Sequence, residues 1–225
     1  GGEAVKERPI LFSGPMVRAI LEGRKTQTRR VVKPIPCDST IAIDHVGKGD
    51  FVRVVKVSGR PHGITTPFAF RCPYGAPGDT LWVRETIRRG PTLEDPRIEY
   101  RDTAEYVADG EPTALDTWPW KRPVLPAIHC PRGLSRLSLL VKSVRVERLQ
   151  EITLEDVLSE GPFGNLEGGS MVFGLGGLSR QFELESRRAV AKFVELWDSI
   201  NAKSHPWASN PWVWVVEFER VGGAS

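Results

Sequence analysis

The chain holds 225 residues, 40% of them hydrophobic and 26% charged, enough for one well-buried core or one domain with a large insertion; two equal domains would each be small. A formal net charge of +3 is too small to mark a nucleic-acid binder by itself, and no apolar run approaches bilayer length, so no membrane partner is expected. No signal peptide opens the chain, and the three cysteines, Cys37, Cys72 and Cys130, are widely spaced and odd in number, which points to a reducing compartment. His129–Cys130 and Cys37 with His45 lack the spacing of a zinc site, so neither a metal nor another cofactor is expected.

Ile10, Leu11 and Phe12 read as a short buried strand, followed by a helix start in which Ser13 can cap and Pro15 falls in the first turn. Met16, Val17, Ile20 and Leu21 share one stripe of that helix, and Gly23 fits as its left-handed stop. The segment that follows, Gly-Arg-Lys-Thr-Gln-Thr-Arg-Arg from Gly23 to Arg30, is the expected functional centre. Arg24, Lys25, Arg29, Arg30 and Lys33 make a basic run with no intervening acid, placed directly after a well-marked helix. Val31 and Val32 continue it as a strand until Pro34 and Pro36 break it.

Phe51 to Val57 and Thr80 to Arg84 read as strands, each preceded by a Gly-Asp pair, Gly49–Asp50 and Gly78–Asp79. Residues 86–127 are rich in Pro, Asp and Trp with weak periodicity and read as an insertion or long loop with one strand near Ile98 to Tyr100. Ser138 to Arg148 alternates as a long strand. Thr153 caps a short helix, with Asp156 at the capping-box position where Glu fits better, and Gly161 ends it. Glu160 sits in its last turn, where the macrodipole favours cations, so this acid stands out as a functional candidate. Residues 161–178 form a glycine-rich loop. Ala189, Phe193, Leu196, Trp197 and Ile200 mark the buried face of a helix ending near Asn201, and Trp212 to Arg220 closes the chain as a strand with Trp212, Trp214, Val216 and Phe218 on one face. Strands outnumber helices, which predicts an α+β fold, a small mixed barrel flanked by helices, as one domain over residues 8–221.

Several of these segments together resemble a known family. The helix from Ser13 to Glu22 running into Gly23-Arg24-Lys25-Thr26, Gly78-Asp79 before Leu81-Trp82-Val83, the short helix Glu155 to Gly161 with its terminal Glu-Gly, and the closing Asn210-Pro211-Trp212-Val213-Trp214 with Glu217-Phe218 resemble the ASCH domain, a branch of the PUA-like barrels. Phe12-Ser13-Gly14-Pro15-Met16 and Cys72-Pro73-Tyr74-Gly75 are similar to the larger ASCH proteins encoded by bacteriophages and prophages. The resemblance implies a PUA-like barrel, cytoplasmic residence, and RNA, a modified nucleoside or DNA as partner. It leaves oligomeric state open.

One branch of that family consists of amidohydrolases that remove the acetyl group of 4-acetylcytidine, using a Lys and a Thr three apart and a Glu that ends the short helix. Those positions fall here on Lys25, Thr28 and Glu160, and an Arg two beyond the Thr falls on Arg30. The chain is about twice as long as those enzymes and adds the 86–127 insertion and the glycine-rich loop. Amide hydrolysis needs a nucleophile, a proton acceptor and an oxyanion partner. The resulting expectation is Thr28 as nucleophile, Lys25 as base with its pKa pressed down by Arg24, Arg29 and Arg30, Glu160 as acid/base, and Arg30 as substrate anchor. Residues three apart on a regular strand face opposite ways, so Lys25 and Thr28 share a site only if Lys25 still lies in the turn.

Arg24, Thr26, Arg29 and Arg30, with Trp82, Arg84 and Glu85 on the strand after Gly78–Asp79, make up the candidate binding set. Trp82, Trp197, Trp207, Trp212 and Trp214 suit base stacking, although tryptophans at strand and helix spacing more often belong to the core, and Glu85 also reads as a rim salt bridge. Two alternatives stand beside the hydrolase. The basic run can serve a non-catalytic RNA- or DNA-binding module, or a ribonuclease using the same groove.

Overall fold

The computed structural model describes residues 5–33, 40–45, 51–57, 68–90, 93–95, 98–101, 103–115, 118–161 and 180–221. The expectations for Pro34 and Pro36, Cys37, Gly49–Asp50 and the glycine-rich loop beyond Gly161 lie outside these residues. In chain order the elements are β1 (Glu7–Leu11), α1 (Gly14–Leu21), β2 (Gln27–Val31), β3 (Thr40–His45), β4 (Phe51–Val57), β5 (Phe68–Arg71), β6 (Thr80–Arg84) and β7 (Ile87–Arg89). They continue with β8 (Leu93–Asp95), β9 (Ile98–Arg101), β10 (Thr103–Tyr106), β11 (Pro112–Ala114), β12 (Val124–Leu125), β13 (Ser138–Arg148), α2 (Leu154–Ser159), α3 (Arg180–Asn201) and β14 (Trp212–Val221). The fold is a mixture of helix and sheet of the α+β kind. Among the described residues no helix is long and apolar enough to cross a membrane.

The central sheet has the order β1-β6-β13-β14-β2, with β1 parallel to β6 and every other pairing antiparallel. Helix α1 carries the chain from one edge strand to the other. Its Val17 and Ile20 join Ile10, Val83, Leu139, Trp214 and Phe218 in the main core. One side chain links the two edges of the sheet: Arg30 on β2 donates from Nη2 to the Leu11 carbonyl on β1 at 2.6 Å. Backbone pairing does not close the ring among the described residues.

Strand β14 is buried on both faces. Trp214, Val216 and Phe218 enter the main core, whereas Val213 and Val215 meet Leu149, Val157, Ala189, Phe193 and Trp197 in a second core under α2 and α3. Ala189, Phe193 and Trp197 succeed one another at four-residue steps, which is the stripe α3 presents to the sheet. Ile200 departs from its expected burial, being 61% exposed. One side of the apolar face of α3 turns past the core, with consequences for the cavity described below.

Segment 86–127 differs from the loop expected. It builds a four-stranded sheet, β11-β10-β7-β12, over a small core of Ile87, Ala104, Tyr106 and Leu125 with Trp118 and Trp120 packed against it. The β8–β9 hairpin adds the strand expected near Ile98. Strands of two to four residues hold at most two inward positions, so alternation along the sequence could not announce them. Three-stranded β3-β4-β5 completes the pairing and includes the expected strand Phe51–Val57.

Candidate active site

Two glycine-stopped helices deliver the site. Ser13 has the extended backbone of an N-cap, but its hydroxyl makes no capping bond, so the entry of α1 rests on Pro15 in the first turn. At the other end Glu22 is the C-cap and Gly23 takes φ +74°, the left-handed stop that its sequence position predicts. The amides of Arg24 and Lys25 both donate to the Ala19 carbonyl, at 2.8 and 3.0 Å. Lys25 is therefore still in the turn, and β2 begins only at Gln27. Thr26 is exposed and stitches the turn to its surroundings: its amide donates to Ser159 O at 2.9 Å, and its carbonyl accepts from the Phe218 amide at 2.8 Å.

The second helix, α2, begins with both halves of the Thr153–Asp156 capping box, the side-chain oxygen of Thr153 accepting at 3.2 Å and that of Asp156 at 3.1 Å. It ends with Glu160 as C-cap and Gly161 at φ +92°. A Cβ at Gly161 would lie 2.4 Å from Lys25 Cβ and 2.9 Å from Ala19 Cβ. The helix end is thus pressed directly against the turn carrying Lys25, which closes the gap of 135 residues between Lys25 and Glu160.

Lys25 has no exposed side-chain surface, and its Nζ donates to Glu160 Oε2 at 2.9 Å, Glu160 O at 2.9 Å and Gln27 O at 2.7 Å. All three ammonium hydrogens are used. Burial lowers the Lys25 pKa from its usual value; the Glu160 charge opposes that shift, while Arg30 and Arg29 add to it. Lys25 and Glu160 form a buried ion pair. Glu160 is among the residues lining the adjoining cavity and Lys25 is not; the Lys25 Nζ lies 5.3 Å from the centre of the Phe12 ring.

Arg29 is turned inward as well. Alternation on β2 sends Gln27 and Arg29 to one side and Thr28 and Arg30 to the other. Arg29, with 1% of its side chain exposed, is held through Nη2 by Glu147 at 2.5 Å and Asp156 at 2.9 Å, and its Nη1 reaches Glu160 Oε1 at 3.4 Å. Asp156 also accepts from Gln27 Nε2 at 3.0 Å and from Arg145 at 3.1 Å. Burial pushes the Asp156 pKa up, but the Thr153 amide and the charges of Arg29 and Arg145 outweigh it and hold this carboxyl below its ordinary range. Arg24 pairs with Glu22 and donates to the Gly161 carbonyl. The five cations therefore do not form a phosphate-facing surface. Only Arg30 and Lys33 lack an acidic partner among the described residues.

A cavity of about 320 Å³ opens beside the pair. Thr28, Arg29, Arg30 and Glu160 line it together, with Lys33 at its exposed edge. Tyr74, Trp214, Phe193 and Trp197 supply aromatic walls, and Leu196 and Ile200 bring to it the part of α3 left over from the core. Thr28 is buried. Burial raises the Tyr74 pKa, opposed by the Arg30 charge.

Trp82, Arg84 and Glu85 do not reach this cavity. Glu85 is buried and held bidentately by Arg136, with Nε–Oε1 at 3.1 Å and Nη2–Oε2 at 2.9 Å, and Arg136 also meets Asp109 at 2.8 Å. The ion pair ties the 86–127 sheet to the central one and lies too deep to be a rim salt bridge. Burial still keeps the Glu85 carboxyl above its usual pKa. Arg84 and Arg132 stand over the Trp82 ring at 5.4 and 5.9 Å, on a separate surface. Trp207 packs on the second core, and Trp212 lies under Arg148 at 4.3 Å.

Sequence reasoning missed Glu147, Tyr74 and, apart from the stacking candidate Trp197, the α3 residues as parts of the site. It took Asp156 for a second-best cap. The shorter Asp is the residue whose oxygens serve both the Thr153 amide and Arg29, a double role that an odd choice at a capping position can signal. No family model matches the chain, and no curated protein or solved structure does either.

Proposed function

We propose that the protein is an ASCH-type amidohydrolase on a PUA-like barrel that removes an acyl group from the exocyclic nitrogen of a cytidine-type modified nucleoside, in the cytoplasm. The observation that carries this reading is the Lys25–Glu160 pair at 2.9 Å in the wall of a cavity that Thr28 and Arg30 also line. The strand edges joined by Arg30 and Leu11 support the barrel part of the reading.

The hydrogen bonds of Lys25 alter the roles expected from sequence. With its three N–H bonds directed at Glu160 and Gln27, Lys25 has no lone pair for Thr28. Glu160 is the member of the pair that meets the cavity, so its carboxylate takes the Thr28 proton while Lys25 holds it ionised and in place. The Thr28 oxygen then adds to the acyl carbon, Glu160 returns the proton to the departing exocyclic nitrogen, and the C–N bond breaks. Water hydrolyses the resulting threonyl ester by the same exchange, giving the free acid and the amine. Arg30 anchors the substrate.

An RNA-binding module or a groove ribonuclease has less support, since three of the five cations on which both rested are engaged internally. Incubation with 4-acetylcytidine, following release of cytidine, tests the proposal. Turnover that falls about 10²- to 10⁴-fold in Thr28→Ala and in Glu160→Gln is expected. Absence of turnover by the unaltered protein would overturn the reaction, and full turnover by Thr28→Ala would overturn its role as nucleophile.

A further inference from the structure

Resting on the hydrolase reading of the same cavity, we propose that its substrate is a nucleoside phosphomonoester, with Arg30 and Lys33 clasping the phosphate. Charge balance is the first reason. Lys25 and Arg29 are matched by Glu160, Glu147 and Asp156, whereas Arg30 and Lys33 line the cavity with no acid opposite them among the described residues. Two unmatched cations suit a phosphomonoester, which carries about −1.5 to −2 at neutral pH, better than they suit the single charge of an internal RNA diester.

The state of Arg30 is the second reason. Its Nη2 is fixed on the Leu11 carbonyl at 2.6 Å and its guanidinium sits 5.3 Å from the Phe12 ring centre, so the fork is held in one pose. Nε is buried without an acceptor. A guanidinium so positioned and so little used is ready for an anionic acceptor, and the fork shape matches phosphate oxygens.

Position is the third. Thr28 and Arg30 lie two residues apart on one face of β2, about 7 Å along the strand, and Lys33 lies beyond them at the exposed edge. The reacting group and the anion site are thus set apart along one cavity, which suits a nucleotide with its acylated base at Thr28 and its phosphate toward the exposed Lys33. A space of about 320 Å³ is of the size of one such unit.

The test compares 4-acetylcytidine with its 5′-monophosphate as substrates, and measures binding of cytidine, CMP, a cytidine dinucleotide and inorganic phosphate. The monophosphate is expected to show at least tenfold higher kcat/KM, and CMP to bind at least tenfold tighter than cytidine or the dinucleotide. In Lys33→Gln, an exposed substitution that leaves the core intact, the ratio of CMP to cytidine affinity is expected to fall at least fivefold; an unchanged ratio overturns the clasp. Equal kcat/KM for the two substrates overturns it too, while leaving the hydrolase reading standing. Tighter CMP binding without any deacetylation supports the clasp and removes the hydrolase reading. Equal affinity for CMP and the dinucleotide, or binding of neither, overturns the inference.

Discussion

Gly161→Ala offers the sharpest test of how the site is assembled, because a control glycine with similar backbone geometry exists in the same chain. Gly161 and Gly23 both follow a helix C-cap with positive φ, at +92° and +74°. Alanine at either position meets left-handed strain of about 1–2 kcal/mol, and gains about 0.4–1 kcal/mol from a stiffer unfolded chain. These effects cancel when the two variants are compared. Space does not cancel: nothing lies within 4 Å of a Cβ at Gly23, whereas one at Gly161 falls 2.4 Å from Lys25 Cβ and 3.0 Å from Lys25 Cα. Neither is the loose end of a flexible side chain, so relief requires moving the turn itself. Overpacking of this kind costs about 1–3 kcal/mol, and the upper half of that range is expected here. Urea unfolding of both variants measures the difference directly. Should Gly161→Ala prove as stable as Gly23→Ala, the close docking of α2 on the Lys25 turn would be wrong. Turnover of 4-acetylcytidine should also fall in Gly161→Ala and remain in Gly23→Ala.

The buried pair should behave as a coupled unit in a double-mutant cycle read by urea unfolding. Glu160→Gln leaves Lys25 ionised and buried, at a cost of about 3–5 kcal/mol, while Lys25→Met leaves Glu160 its Arg29 contact and costs less. The double variant should recover part of the first loss; strict additivity would deny the pairing. Two carboxyls should impose opposite pH dependences. Asp156, held below its ordinary 3.8, contributes stability that is present above that value and is lost as pH falls through its folded pKa, an effect missing from Asp156→Asn. Glu85, raised above its ordinary 4.5, contributes stability present below that value and lost as pH climbs through its folded pKa, so Glu85→Gln should gain on the unaltered protein as pH rises from 4.5. Parallel stability curves across this range would contradict the shifts. Finally, single-stranded RNA should bind with a salt slope no steeper than about −1.4, the value for two phosphate contacts. A slope near that for five cations would mean that the basic run faces outward.

The parts of this fold that were legible in the sequence are those with local signals. Gly23, the Thr153–Asp156 box, the eleven-residue alternation of β13 and the apolar face of β14 each follow from propensity or period. The juxtaposition of Lys25, Thr28 and Glu160 came from resemblance, since no local rule spans 135 residues. What remained hidden depended on pairing between distant segments. Arg29 looked like a surface cation because its partners, Glu147 and Asp156, lie on β13 and α2 and reach it only once β14 brings β2 and β13 into one sheet. Glu85 looked like a rim residue because Arg136 is 51 positions away. Ile200 fits the apolar stripe of its helix, but a stripe does not say where the core stops and a cavity begins.

The proton on Lys25 answers to the charges around it, and those charges are not equally constrained. Burial draws the Lys25 pKa down, Glu160 draws it up, and Arg30 and Arg29 push it down again. Arg29 is compensated by Glu147 and Asp156 whether or not a ligand is present. Arg30 has no acidic partner among the described residues, so an anion bound to it should weaken its push on Lys25 and favour protonated Lys25. Protonated Lys25 is the form that the proposed mechanism requires. Loss of the Lys25 proton should set the alkaline limit of activity, and this limit should lie at higher pH in kcat than in kcat/KM for the phosphorylated substrate, because kcat reports the bound complex. For unphosphorylated 4-acetylcytidine the two limits should coincide. An alkaline limit that ignores the phosphate would mean that Arg30 and the buried pair do not sense one another, and the site would have to work with its proton already fixed before substrate arrives.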